Sequence, residues 1–513
     1  MTAIAGPADK QWFGHPRGLS TLFFTEMWER FSYYGMRGLL ILFLVASVQT
    51  GGFGMTDSTA AAIYGLYTAS VYLMALPGGW IADRLLGQRK AVFVGGCIIA
   101  AGHFSMAVPT VPTFYLGLCL IVIGTGLLKP NVSAMVGDLY PESGSRRDAG
   151  FSVFYSGINL GAFLGPLVCG YLGEGINWHF GFGAAGVGMV LGLVQYRFGG
   201  RYLGTAGFRK TEGERSGAVL RARRGLLVGV GVIAAVALLL FLLDSTGVVN
   251  LTLQGIARAT GAVIVALALV YFASVLFFGG LSTPEKKRVI VIFLFFVSAA
   301  MFWSGFEQAG SSMNLFADRL TNRIFFGWEV PASWLQSVNS MFIILLAPVF
   351  GWIWLKLGSR SPSTPAKFGY GLVFLAFGFL VMVWAALRTQ GGAAKVGAHW
   401  LVATYFLHTV GELCLSPVGL SSVTKLSPPR LVGQMMGTWF MGSALGNLIA
   451  GLVAGGSESM PLPELFGFVA KVTGVAGILL LVLAKPIRRL MGRRPEEHTT
   501  PTVGPKIAPE TAV

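Results

Sequence analysis

Charge is what this sequence has least of. Among 513 residues, 22 are Asp or Glu, 38 are Lys or Arg and six are His, so charged residues make up only 12% of the chain. Cysteine occurs four times, at Cys97, Cys119, Cys169 and Cys414, each inside an apolar run. That excludes a CxxC redox pair, a thiolate zinc cage and a disulfide framework. HExxH, GxSxG and a phosphate loop are all missing, so neither a metal nor a cofactor is expected. Gly124-Thr125-Gly126-Leu127-Leu128-Lys129 imitates a nucleotide loop, but it lies inside an apolar run where phosphate binding is implausible. The first residues lack the charged-then-apolar pattern of a cleaved leader. The net charge of +16 is scattered through loops and tails without an RNA- or DNA-binding motif, so no nucleic acid partner is expected. Basic loops against an anionic inner leaflet account for its sign.

Apolar residues make up 54% of the chain, which reads as a polytopic membrane protein. Runs of membrane length recur at about 19–45, 60–82, 90–108, 113–137, 150–172, 176–198, 225–243, 252–280, 289–316, 333–356, 367–388, 398–424, 431–455 and 463–485. Lys and Arg alternate between absent and crowded in successive connections, which puts both termini on the cytoplasmic side of the inner (cytoplasmic) membrane. Arg319 and Arg323, on the predicted outer side, are the main exceptions.

A repeat relates the halves. Gly79-Trp80-Ile81-Ala82-Asp83-Arg84 closes the second span, and Gly351-Trp352-Ile353-Trp354-Leu355-Lys356 closes the second span of the later half. Six spans precede the insert and six follow it, so the copies share an orientation, as in a parallel repeat about the membrane normal. The expected architecture is all-α: twelve core helices in two six-helix bundles plus two inserted helices, fourteen in all. The divisions are 1–200 for the first bundle, 201–288 for a basic linker and helical hairpin, 289–487 for the second bundle, and 488–513 for a cytoplasmic tail.

The first span concentrates the scarce charges. At 100° per residue, Glu26, Glu29, Arg30, Tyr33, Tyr34 and Arg37 share one side of a helix, while Phe24, Trp28, Phe31, Gly35 and Leu39 take the other. One charge at the centre of a spanning helix costs about 2.5–3.5 kcal/mol, so four cost roughly 10. Snorkelling helix ends or purely structural ion pairs are the bland explanation. Here, however, acids alternate with bases over three turns, which points to a water-filled path. The other mid-span charges are Lys129, Glu307 and Glu412, on the fourth, seventh and tenth spans. Spans 1, 4, 7 and 10 occupy equivalent positions in the repeat, so this set should surround a central cavity. Tyr72, Asn159, Trp303, Asn339 and Trp439 are further candidates for its lining, although membrane aromatics more often pack. His103 and His408 read as packing histidines.

The stretch Gly79–Lys90 resembles the loop signature of the major facilitator superfamily, with one extra leucine between Asp83-Arg84 and Gly87. That resemblance implies a gating role for Asp83 and Arg84; a bare topology signal is the alternative. Glu26-x-x-Glu29-Arg30-Phe31 with Tyr33-Tyr34-Gly35-Met36-Arg37, Phe154-Tyr155-x-x-Ile158-Asn159-x-Gly161, Lys129-Pro130-Asn131, Trp303 with Phe306-Glu307-Gln308, and Glu412-Leu-x-x-Ser416-Pro417 together resemble the proton-dependent oligopeptide transporter family, prokaryotic type. The resemblance implies a proton-coupled symporter importing di- and tripeptides by alternating access, able to act as a monomer in the lipid bilayer, with protons as the coupling ion. It implies that Arg30, Arg37 and Lys129 receive the peptide carboxylate and Glu412 the amine. Tyr33, Tyr34, Tyr72, Asn159, Trp303, Asn339 and Trp439 would shape the pocket. Glu26, Glu29, Arg30 and Glu307 would handle the proton, with Glu307 exchanging partners between Lys129 and Arg37. A carrier of nitrate, amino acids or drugs is the alternative, and retention of Glu26, Glu29 and Glu412 argues against nitrate.

Overall fold

The structure, a computed structural model, describes residues 11–140, 144–209 and 217–492. The expected tail beyond residue 492 and part of the basic linker lie outside the described residues. In chain order the helices are α1 (Gly18–Val45), α2 (Asp57–Ile81), α3 (Gln88–Met106), α4 (Val111–Asp138), α5 (Ser145–Gly175), α6 (Trp178–Gly199), α7 (Ala218–Ser245) and α8 (Leu253–Phe278). They continue with α9 (Thr283–Phe306), α10 (Ser312–Leu320), α11 (Ser337–Leu357), α12 (Thr364–Arg388), α13 (His399–Leu426), α14 (Val432–Ala454), α15 (Leu462–Val482) and α16 (Ala484–Met491). Twelve helical segments are both long and apolar enough to cross a membrane. Helices α1, with its four charges, and α3, which opens on Gln88-Arg89-Lys90, complete the expected fourteen.

Local sequence explains several helix starts. Thr56, Thr110, Asn177 and Thr252 each accept a backbone N–H of the first turn at α2, α4, α6 and α8. Glu285 reaches back 2.8 Å to the Ser282 N–H at the start of α9. The extra leucine of the Gly79–Lys90 stretch is absorbed as a widened turn. Gly87 donates to the Ala82 carbonyl five residues earlier, at 2.7 Å, so the helix end bulges where the leucine is inserted.

Helix α1 packs on α5 and α6, α3 on α4 and α6, and α2 on α4; in the later half α12 packs on α13 and α15, α9 on α14, and α11 on α13. Small residues set the closest approaches. A Cβ on Gly35 would fall 3.1 Å from the Gly165 carbonyl across α1–α5, and one on Gly65 would fall 3.1 Å from Gly451 Cα across α2–α14. Helix α8 lies against α2, α9 and α14. Helix α7 buries only Ala222.

The seventh span corrects an expectation. An unbroken helix over 289–316 was expected; instead α9 stops at Phe306, Glu307–Gly310 form a tight turn, and α10 restarts at Ser312. The polar run Gln308 to Ser312 stabilises the break. Gln308 donates to the Ser304 carbonyl at 3.2 Å and accepts from the Ser312 hydroxyl at 2.8 Å, so side chains serve backbone groups that the helix has abandoned.

Contacts between the halves are concentrated at the end predicted to face outward. Arg319 forks onto Asp57 at 2.6 and 2.8 Å, which is how one exception to the charge rule is used. Arg323, the other, ties together Asp318, Glu329 and the Val330 carbonyl. Glu174 of α5 accepts the Ala332 and Ser333 N–H groups at 2.6 and 3.0 Å. Trp334 donates to the Leu167 carbonyl at 2.9 Å and Ser337 to that of Phe163 at 2.8 Å. Glu458 accepts from the Ser58 N–H at 2.8 Å. Toward the other end the halves part: the buried residues of α11 are Ser337, Ser340 and Ile343, all in its first two turns, and Leu355 is 85% exposed.

The contacts at this end make a prediction. Charge-assisted hydrogen bonds contribute about 1.5–3 kcal/mol each, whereas exposed ion pairs such as Asp57–Arg319 contribute at most about 1. Glu174→Ala is therefore expected to raise the labelling rate of a cysteine placed at Ser337 by about tenfold or more, and Asp57→Asn by less than about fivefold. Labelling rates from the outer side check both.

Candidate functional site

Between the halves lies a cavity of about 230 Å³. Of the residues singled out above, Glu26, Arg30, Tyr34 and Arg37 reach it from α1, Tyr72 from α2, Lys129 from α4 and Asn159 from α5. Trp303, Glu307, Asn339, Glu412 and Trp439 reach it from the later half. Two do not line it. Glu29 is fully buried behind Arg30, and Tyr33 stacks on Tyr67 within the first bundle, with ring centroids 6.3 Å apart. Both sit at the edge of the α1 stripe, where a few tens of degrees of helix phase decide between cavity and packing. Asp83 and Arg84 are far from the cavity chemistry, exposed at the parted end, with Arg84 5.9 Å from the Trp80 ring.

The charges sort into three groups. In the first, the Arg30 guanidinium is shared by two carboxylates: its Nε meets Glu26 at 3.1 Å and also donates to Glu29. All three side chains are at most 3% exposed. Two acids share one base, with Lys129 near enough to act on both carboxylates, and one bound proton would leave Arg30 a single acid. The second oxygens, Glu26 Oε2 and Glu29 Oε1, have no hydrogen-bond partner. In the second group, Arg37 of α1 donates to Glu307 across the halves and to the Tyr64 hydroxyl. The break after Phe306 places Glu307 there. Arg37 also lies 5.5 Å from the Tyr34 and Tyr64 ring centres, so its charge is satisfied without a ligand.

The third group is unpaired. Lys129 forms no ion pair among the described residues, and its Nζ rests 4.4 Å over the Tyr72 ring. Glu412, 7% exposed, forms none either, and its Oε2 has no partner. Asn339 donates to Thr409 at 2.9 Å and its side chain also hydrogen-bonds Glu412. Thus one cation on the first half and one carboxylate on the second, neither with an ion-pair partner among the described residues, line the same cavity. That arrangement matches a ligand carrying an anionic and a cationic end, and a ligand joining the two would draw the halves together.

The sequence reading missed several members of this cavity: Tyr155, Gln336, Tyr405, His408, Ser416 and Ser443. It also missed Tyr64, the phenol behind Arg37. Tyr64, Thr68 and Tyr72 lie at i, i+4 and i+8 on α2, a polar stripe that carried the signal.

A sequence model described as the POT family matches residues 89–464. The chain is 43% identical to the peptide transporter YePEPT of Yersinia enterocolitica, over 97% of this chain and all of that one. It is 36% identical to a di-/tripeptide transporter of Lactococcus lactis subsp. cremoris, over 94% of this chain and 98% of that one. A crystal structure of a peptide transporter POT in complex with sulfate superposes with a TM-score of 0.87 at 42% identity, covering 94% of this chain and 97% of the other. A POT family transporter in complex with 5-aminolevulinic acid superposes at 0.86 with 34% identity, covering 93% and 98%.

Proposed function

This chain belongs to the POT family, and on that premise we propose that it imports di- and tripeptides across the cytoplasmic membrane as a proton-coupled symporter, by alternating access. It is a multi-pass membrane transporter and not an enzyme. The pair of opposite charges without ion-pair partners, Lys129 and Glu412, carries the substrate reading. A free peptide is a zwitterion whose ends are a few bonds apart. Lys129 would take its carboxylate and Glu412 its amine, while Tyr34, Tyr72, Asn159, Trp303, Asn339 and Trp439 give contacts that tolerate varied side chains. Arg30 and Arg37, engaged internally in this state, would reach the carboxylate only after exchanging partners. Glu26 and Glu29 would hold the travelling proton beside Arg30. Glu307 would report substrate arrival by releasing Arg37, and Asp83 and Arg84 would act at the cytoplasmic gate.

In this reading residues 1–200 and 289–487 are the two moving bodies, 201–288 the inserted linker and hairpin, and 488–513 a tail on the cytoplasmic side with the N-terminus. A single chain suffices. The end sealed by Glu174 and Asp57 would face outward and the parted end inward, a state ready to release cargo. The solved relative bound to 5-aminolevulinic acid supports the same chemistry, since that ligand too carries an amine and a carboxylic acid.

The test is accumulation of radiolabelled dialanine in proteoliposomes. An acidic exterior should drive internal dialanine above the external concentration, and excess unlabelled dipeptide should block it. Equilibration without accumulation would overturn symport, and lack of competition by peptides would overturn the substrate class.

A further inference from the structure

Arg37 has two hydrogen-bond partners, and they come from opposite halves: Glu307, from the break after α9, and the hydroxyl of Tyr64, from α2. The Tyr64 side chain is fully buried, and its hydroxyl lies against Gly310, which closes the Glu307–Gly310 turn. A Cβ on Gly310 would overlap that hydroxyl and come within 2.7 Å of the ring Cζ and 3.0 Å of Cε2. Neither side yields easily. The phenol is enclosed and tethered to Arg37. The turn is tied down by Gln308, which donates to Ser304 at 3.2 Å and accepts from Ser312 at 2.8 Å. Glu307 and Gly310 are three residues apart in that turn, so the carboxylate and the glycine move as one piece.

We propose that Tyr64 and Gly310 form an interlock that positions the Arg37–Glu307 pair: the turn carries Glu307 onto Arg37 only because glycine at 310 leaves room for the phenol. The assignment rests on the alternating access proposed above. When the halves part at the end held by Glu174 and Asp57, Glu307 and Gly310 withdraw together. Tyr64 stays with the first half and keeps the Arg37 Nε–H satisfied, so the guanidinium does not lose both partners at once. When the halves return, seating the phenol on Gly310 and pairing Arg37 with Glu307 are a single fit. A methyl group at 310 would hold the turn away, since a close-packed interior answers such an overlap with displacement. Neither Tyr64 nor Gly310 lines the cavity, so both are positioning residues.

The experiment is a double-mutant cycle, read by the labelling rate of a cysteine placed at Ser337 and by maximal dialanine uptake in proteoliposomes. With Tyr64 present, G310A should raise the labelling rate about tenfold and lower maximal uptake about as much, the size of one overpacked methyl group. In a Y64L background, which removes the overlapping hydroxyl and ring edge, G310A should change the labelling rate by less than about twofold. An equal effect of G310A in both backgrounds, or no effect in either, would overturn the interlock and leave Gly310 a packing residue. Should G310A alone fail to fold, the Y64L pair still decides: labelling of Y64L/G310A at the Y64L rate supports the interlock, and a large rise overturns it. A reporter in otherwise wild-type protein that dialanine and external acid leave unaffected would overturn alternating access instead, so the two failures are distinguishable.

Discussion

Glu26→Gln is expected to abolish accumulation of dialanine above its gradient while sparing exchange of internal for external peptide. Glutamine keeps the shape of the side chain and can still contact Arg30 at the 3.1 Å separation seen for the carboxylate. It cannot take up and release a proton. The cluster of Glu26, Glu29 and Arg30 then holds one acid and one base, as it would with a proton on Glu26. Peptide exchange needs the halves to rock but needs no net proton movement. Comparing pH-driven uptake with counterflow in the same proteoliposomes checks this. Glu29→Gln tests the division of labour: Glu29 does not border the cavity, so its loss should leave peptide affinity unchanged. Equal accumulation by Glu26→Gln and wild type would remove Glu26 from coupling.

Lys129→Gln and Glu412→Gln should each weaken dialanine binding by about a hundredfold. Removing one partner of a desolvated charge pair costs about 2–5 kcal/mol, mostly because the other charge is left buried and unmatched. Each 1.4 kcal/mol is a factor of ten. Arg30 and Arg37 differ, since each is already matched by a protein carboxylate. Substituting either would strand Glu26 and Glu29, or Glu307, and disturb folding and transport together. Thermal melts separate the groups: Lys129 and Glu412 variants should keep wild-type melting temperatures, whereas Arg37→Gln should lower its own.

Much of this site was legible in the sequence because bilayer physics makes charge expensive. Glu26, Glu29, Arg30, Arg37, Lys129, Glu307 and Glu412 fall on spans 1, 4, 7 and 10, which the repeat makes equivalent, and that concentration argues against accidental packing. The loops at the sealed end were legible in outline: Arg319 and Arg323 broke the charge rule, and the structure gives each carboxylate partners. Pairing was not legible. Helical phase puts Glu26, Glu29, Arg30 and Arg37 on one stripe, but which carboxylate each guanidinium takes depends on side chains across the cavity. The break at Glu307 was hidden because α9 is apolar up to Phe306, and only the polar run Gln308 to Ser312 hinted that the helix stops. His408 was read as packing because a single histidine carries no spacing signal; its place opposite Gly378 exists only after α12 and α13 pack.

Blocking the two ends of the ligand tests the account most directly. Dialanine, N-acetyl-dialanine and dialanine amide would be titrated into wild type, Lys129→Gln and Glu412→Gln. The account predicts that the Lys129→Gln penalty is large for dialanine and nearly vanishes for the amide, while the Glu412→Gln penalty nearly vanishes for the acetylated peptide. Penalties that stay the same for all three ligands would contradict a receptor built from those two opposed charges.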